Sequence, residues 1–339
     1  MARAPGLTGL FGKLTRRMEA ARAQRRFLSS LRHLHGPRTA SAPMDAVVMV
    51  VLVRDGMFYL EPFLEHYRGL GAGQFVFCDN GSSDGTIERL QREPDCVILQ
   101  SELPWGEVEN LFRRHAAERY APGRWCLFAD MDEMFDPGHA APDLPALARL
   151  LEAGGYTGLV AQMLEMVPEA PLSEAAGWSY AEALERNIWY DLRNIERLNY
   201  HDPAIDFAWY LQQNKLSNRD IKVMFGGIRK RVFGEHCCLT KHPFVKLTGG
   251  TLPGVHPHAS AHLRCAPFTG LIRHYKFAGD SVARDADTAA RGVIAHGEDR
   301  ARLARLQDAP GLSLWSEGMQ QFAGPEPLYE ADFLQGPPD

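Results

Sequence analysis

No stretch of this 339-residue chain reaches the roughly 18 apolar residues that a membrane-spanning helix needs. The longest apolar run, Ala46 to Val53, is only the length of a strand. The N-terminus also lacks the apolar core and small-residue cleavage site of a secretion signal, so the chain is expected on the cytoplasmic side. Cysteine is scarce. The six residues (Cys78, Cys96, Cys126, Cys237, Cys238 and Cys265) include no C-x-x-C spacing, which favours reduced, structural thiols over a zinc site or a disulfide framework. There is no internal repeat, which argues against solenoid and propeller folds.

What is present is a charge asymmetry. Residues 1–43 carry nine Lys and Arg against one acid, Glu19, while the rest of the chain holds 28 basic and 41 acidic residues. Within that head, residues 7–35 place Leu10, Phe11, Leu14, Met18, Phe27, Leu28, Leu31 and Leu34 at roughly helical spacing. Gly36, Pro37 and the small residues to Pro43 then interrupt the pattern. Residues 1–43 therefore read as a basic helical extension and linker, separable from the body and suited to an anionic membrane surface at the inner face. Nucleic acid is not among the expected partners.

From Asp45 onward, strand-like and helix-like segments alternate. Strands are expected near 46–53, 74–78, 96–100 and 124–129, with helices at 59–70, 83–91 and 107–120 between them. Such alternation implies βαβ units and a mostly parallel sheet flanked by helices, an α/β fold. Ligands of such sheets bind beyond the carboxyl ends of the strands. After about residue 140 the pattern is less regular, with a strand near 156–163 and helices near 173–186 and 281–306. The body of the chain thus divides, by pattern, into residues 44–140 and 141–339.

Two loops carry chemistry. Asp130-Met131-Asp132-Glu133 follows an apolar strand, and three carboxylates that close repel unless a cation sits among them. Mg²⁺ or Mn²⁺ suits such oxygen ligands, pairing one or two carboxylates with substrate phosphates. Extended backbone here puts Asp130 and Asp132 on one side and Glu133 on the other. The second loop runs from Asp79 through Asn80-Gly81-Ser82-Ser83-Asp84-Gly85 to Thr86. It matches neither G-x-x-x-x-G-K-S/T nor G-x-G-x-x-G.

Together these loops, with Val53-Arg54-Asp55, the segment Phe63–Gly71 and Trp125–Glu133, resemble family-2-type glycosyltransferases of the GT-A fold, in a bacterial subgroup of short members. The resemblance implies a nucleotide diphosphate sugar as donor, a glycan or lipid-linked hydroxyl as acceptor, and Mn²⁺ or Mg²⁺ as cofactor. It makes residues 44–140 the nucleotide-sugar-binding half and 141–339 the acceptor-side half of one catalytic domain. It implies that Asp79 contacts the base, and that Asp130 and Asp132 hold the ribose and the metal. Arg54, Asp55, Asp84, Arg229 and Arg231 are further candidates to bind the donor. His256, His258 and His274 are candidates to complete the metal shell. Glu165, Asp202 and Asp206 are candidates for the base that deprotonates the acceptor. Two other readings stay open: a nucleotidyltransferase, and a catalytically degenerate glycan- or nucleotide-binding relative.

Overall fold

The computed structural model describes residues 7–291, 298–309 and 311–338. It is α/β, built on one ten-stranded mixed sheet. The strands are β1 (Arg32–His35), β2 (Val47–Val53), β3 (Ala72–Asp79), β4 (Cys96–Gln100), β5 (Trp125–Asp130), β6 (Glu133–Asp136), β7 (Gly158–Glu165), β8 (Lys215–Leu216), β9 (Thr240–Lys246) and β10 (Arg264–His274). Their order across the sheet is β1-β4-β3-β2-β5-β9-β7-β10-β8, with β6 paired to β10. β4, β3, β2 and β5 are mutually parallel, as are β7 and β10. β9 lies antiparallel between β5 and β7 and joins the two parallel sets.

The five helices that pack on the N-terminal strands are α1 (Leu7–Ser30), α2 (Leu60–Gly69), α3 (Thr86–Leu90), α4 (Trp105–Tyr120) and α5 (Leu144–Ala153). All seven residues of β2 are buried, because both faces of the sheet are covered. Alternate side chains divide between two cores. Val47, Met49 and Val51 meet Phe63 and Tyr67 of α2 on one face, whereas Val48, Val50 and Leu52 meet Val108, Phe112 and Ala116 of α4 on the other. All six cysteines are free and buried, as expected of structural thiols. Among the described residues no helix is long and apolar enough to cross a membrane.

The N-terminal segment is not the separable extension that its composition suggests. Phe27 at the end of α1 is fully buried and meets Phe112 edge to face at 5.1 Å. The next residues form β1, antiparallel to β4, so Arg32–His35, read as the end of the basic helix, are the edge of the main sheet. Gly36 follows with φ +81°, and a Cβ there would strike the Cys96 carbonyl, so only glycine turns the chain at this point. Truncating Phe27→Ala is expected to cost about 3 kcal/mol in a urea titration, through lost burial and the cavity left behind. An unchanged midpoint would restore the separable-tail description.

The expected helix near 173–186 is two, Leu172–Ala175 and Tyr180–Arg186. Ser179 and Glu182 form a capping box that starts the second. The expected helix near 281–306 is likewise Ser281–Arg291 and Glu298–Asp308, with residues 292–297 outside the described set.

Candidate active site

β2 has β3 on one side and β5 on the other, so the chain reverses its direction of travel across the sheet at β2. A crevice opens beyond the carboxyl ends of strands at such a point. Here it is a cleft of about 850 Å³, within the usual range for a small-molecule site. Val53 at the end of β2 with Arg54 and Asp55 beyond it, Asn80 after β3, Glu102 and Trp105 after β4, and Asp130 at the end of β5 with Met131 and Asp132 beyond it line the cleft. The far wall is Lys276 and Phe277, just past β10, with Ser281, Arg284, Asp285 and Asp287 of the Ser281–Arg291 helix.

The two aspartates after β5 do not share a direction. β5 ends at Asp130 and the chain turns through Met131 and Asp132 into β6, so the extended alternation expected across Asp130–Glu133 is lost. Asp130 accepts from Lys241 Nζ at 2.8 Å and Arg113 Nη2 at 3.3 Å. Glu133, expected on the opposite side, also accepts from Lys241. Burial alone would raise the Asp130 carboxyl, but Lys241 and Arg113 outweigh it and hold the group far below the usual range.

Asp132 turns to the other wall. Its Oδ2 lies 3.4 Å from His274 Nε2, and His274 Nδ1 lies 2.9 Å from Glu165 Oε1. Arg229 Nη2 approaches the same Glu165 oxygen at 3.1 Å. Burial would lower the imidazole, yet the Glu165 and Asp132 carboxylates lift it to about 9. Glu165 is held at about 2 against its burial by Arg229 and His274.

Glu165 is therefore not the acceptor-side base expected from its position after a strand. It is 5% exposed, faces His274 and Arg229, and orients the imidazole. Asp202 and Asp206 do not line the cleft, and the Asp202 carboxylate caps its own turn through Ala204 N–H at 2.9 Å. Asp79 is fully buried and absent from the cleft wall. It accepts from the Gly81 and Ser82 amides at 2.8 and 3.1 Å and from Gln100 Nε2 at 2.8 Å, so it shapes the loop from within. Asp84 serves similarly, accepting from the Met57 and Thr86 amides at 2.9 and 3.0 Å. Arg54 and Asp55 do reach the cleft. Arg54 donates to the Asn80 carbonyl at 2.9 Å, and Asp55, at φ +50°, accepts from Ser83 N–H at 2.7 Å. Arg229 sits behind the cleft on Glu165. Arg231 donates to the Leu314 carbonyl at 2.6 Å and does not line the cleft.

Of the three candidate histidines, only His274 meets Asp132. His256 stacks on Phe207 at 4.5 Å, and His258 Nδ1 lies 3.0 Å from the Thr240 carbonyl. They share a buried region with His242, which lies 2.7 Å from the Tyr200 hydroxyl and accepts from Ser260 N–H at 3.2 Å. Burial pushes His242 and His256 down to about 4, so both are neutral at neutral pH. The unfolded chain binds those protons at an ordinary His value near 6.5, so their folded-state stabilisation is present above that pH. It is lost as pH falls from about 6.5 towards 4. For His242 alone the loss is on the order of 3 kcal/mol. Urea midpoints across that interval should fall in the native protein and fall less steeply in His242→Gln.

Among the described residues no group of three or more His, Cys, Asp or Glu side chains is arranged to hold a metal ion. What the cleft offers a divalent ion, which would displace the proton on His274 Nε2, is a pair, Asp132 Oδ2 and His274 Nε2. Their 3.4 Å separation is close to the roughly 3 Å between adjacent ligands of an octahedral ion. Glu165 holds the other ring nitrogen, as carboxylates do behind metal-bound histidines. The remaining ligand positions would fall to substrate oxygens.

Lys241, Arg113, Lys276 and Arg284 are site residues without an assigned role in the sequence reading. Nothing local marks Lys241 as the partner of Asp130, 111 positions earlier. No protein-family model matches this chain, and no curated protein matches it.

Proposed function

We propose that this protein transfers a sugar from a nucleotide diphosphate donor to a hydroxyl of a glycan or lipid-linked acceptor, with Mn²⁺ or Mg²⁺ bound at Asp132 and His274. The observation that carries the reading is the Glu165–His274–Asp132 chain opening into a cleft at the point where strand order reverses. The resemblance of Val53–Asp55, Asp79–Thr86 and Trp125–Glu133 to GT-A enzymes points the same way, as does the mostly parallel central sheet.

The metal, when bound, would offset the negative charge that develops on the departing diphosphate. The remaining work belongs to side chains. Lys276, Arg284 and Arg54 bring positive charge to the cleft wall, where phosphate oxygens need it. Lys241 and Arg113 keep Asp130 ionised without a metal, which leaves that carboxylate to accept from donor hydroxyls. Glu165 fixes the His274 ring so that Nε2 points at Asp132.

A thermal-shift panel of nucleoside diphosphates, with and without Mn²⁺, tests this. Ligand that binds the native state raises its melting temperature by mass action. One nucleotide should stand out, and only with the metal. A flat panel, or equal shifts with and without Mn²⁺, would refute the proposal.

A further inference from the structure

The helix α1 carries Lys13, Arg16, Arg17, Arg22, Arg25 and Arg26 against the single acid Glu19. Residues 17–26 are exposed apart from the half-buried Gln24, and Met18 retains 65% of its accessible surface. Among the described residues, Arg17, Arg22 and Arg25 make no ion pair, although the body of the chain is net acidic. Charge of one sign is thus held away from a body of the opposite sign. Leu7, Leu10, Phe11, Leu14 and Met18 recur at the three- and four-residue intervals of an apolar helical stripe.

Among the described residues, the helix is tied to the body near its C-terminal end, and that end is the lip of the cleft. Ser30 Oγ lies 2.7 Å from Ser101 Oγ. Arg26 pairs with Glu107 at 2.6 Å and Arg32 with Glu102 at 2.5 Å, and both glutamates line the cleft. With Phe27 in the core as the pivot, the twenty residues before it extend about 30 Å at 1.5 Å per residue.

We propose that α1 binds an anionic lipid surface and, because it springs from the cleft lip, holds the cleft mouth beside that surface. An arm tied to the lip brings the cleft mouth within the arm's own length, about 30 Å, of any surface the arm lies on. The consequence for chemistry, which rests on the glycosyltransferase reading, is that the acceptor is lipid-linked and not a free glycan. Arginines near an anionic bilayer each strengthen attachment by about fivefold, the equivalent of roughly 1 kcal/mol, and added salt screens them.

Co-sedimentation tests the inference, using the full chain with phosphatidylglycerol-containing vesicles, phosphatidylcholine vesicles and duplex RNA. The chain should sediment with the anionic vesicles at low salt, stay in solution with the neutral ones, and be released by salt. The charge-neutral variant R17Q/R22Q/R25Q should lose about a hundredfold in partition, at an unchanged urea midpoint. Failure of the native chain to bind anionic vesicles, an unaltered partition in the variant, or preferential capture by RNA would each overturn it. Nucleotide-induced thermal shifts on the same samples separate the two readings. A shift without vesicle binding overturns docking alone, and vesicle binding without a shift overturns the donor-site reading alone.

Discussion

Asp132→Ala is expected to weaken Mn²⁺-dependent nucleotide binding by more than about a hundredfold while leaving the urea midpoint nearly intact. Removing a group that merely orients a metal ligand costs 10- to 100-fold in affinity as a rule, and Asp132 is placed to be the ligand itself. Its loss takes the carboxylate from His274 Nε2 at 3.4 Å, but the ring keeps Glu165 at 2.9 Å through Nδ1 and can release its Nε2 proton, so the cost to the fold is small. Asp130→Ala should behave differently. Lys241 and Arg113 would then face a site without that carboxylate, and the defect would appear in stability as well as binding. Glu165→Gln belongs between them, with a roughly 10- to 100-fold loss of metal affinity if its role is to hold the imidazole. Isothermal titration of Mn²⁺ and nucleotide into the three variants separates these outcomes. An Asp132→Ala protein with native metal dependence would move the metal elsewhere.

Arg302→Ala is expected to destabilise the fold by about 4 kcal/mol, among the largest effects that a single side chain here can have. Arg302 is 1% exposed. It grips both oxygens of Asp285, at 2.6 and 2.8 Å, and donates to Glu235 Oε1 at 2.6 Å. Deleting it leaves two buried carboxylates with one fewer cation, which costs far more than the pair contributes beyond an apolar replacement. Asp285 lies on the helix that walls the cleft, so nucleotide affinity should fall along with the urea midpoint. Arg302→Lys should recover the charge but not the two-pronged geometry, and therefore only part of both losses. A midpoint within about 1 kcal/mol of native for Arg302→Ala would mean that water reaches these carboxylates.

The first half of the fold was readable because its signals are local. Val47–Val53 is a continuous β-branched and apolar run, and the βα loops carry their glycines and acids at the strand ends. Three of the features misread are set by distant partners. β1 is only Arg-His-Leu-His, with no alternation to mark it, and becomes a strand because the β4 edge is there to receive it. Asp130 looks like half of a metal pair until Lys241 arrives from β9, and Glu165 looks like an accessible base until β10 covers it with His274. Asp79 misleads for a different reason. An acid at a strand end can serve a ligand or its own loop, and the glycine-rich sequence after it suits both.

The place of β9 bears on how the chain is made. β5 is finished by residue 130 and β7 by residue 165, yet the strand that fills the gap between them spans Thr240–Lys246. A polypeptide emerging from the ribosome therefore carries two open sheet edges through about 75 further residues of synthesis, as counted from β7 to β9. Exposed edges of this kind pair with whatever strand is nearest, including one from a neighbouring chain. The division near residue 140 marks a change in pattern but not a unit that can stand alone. A fragment ending there would keep the parallel strands and lose the strand that closes them. Release of a prematurely terminated product should thus yield aggregate, where the completed chain yields a closed sheet.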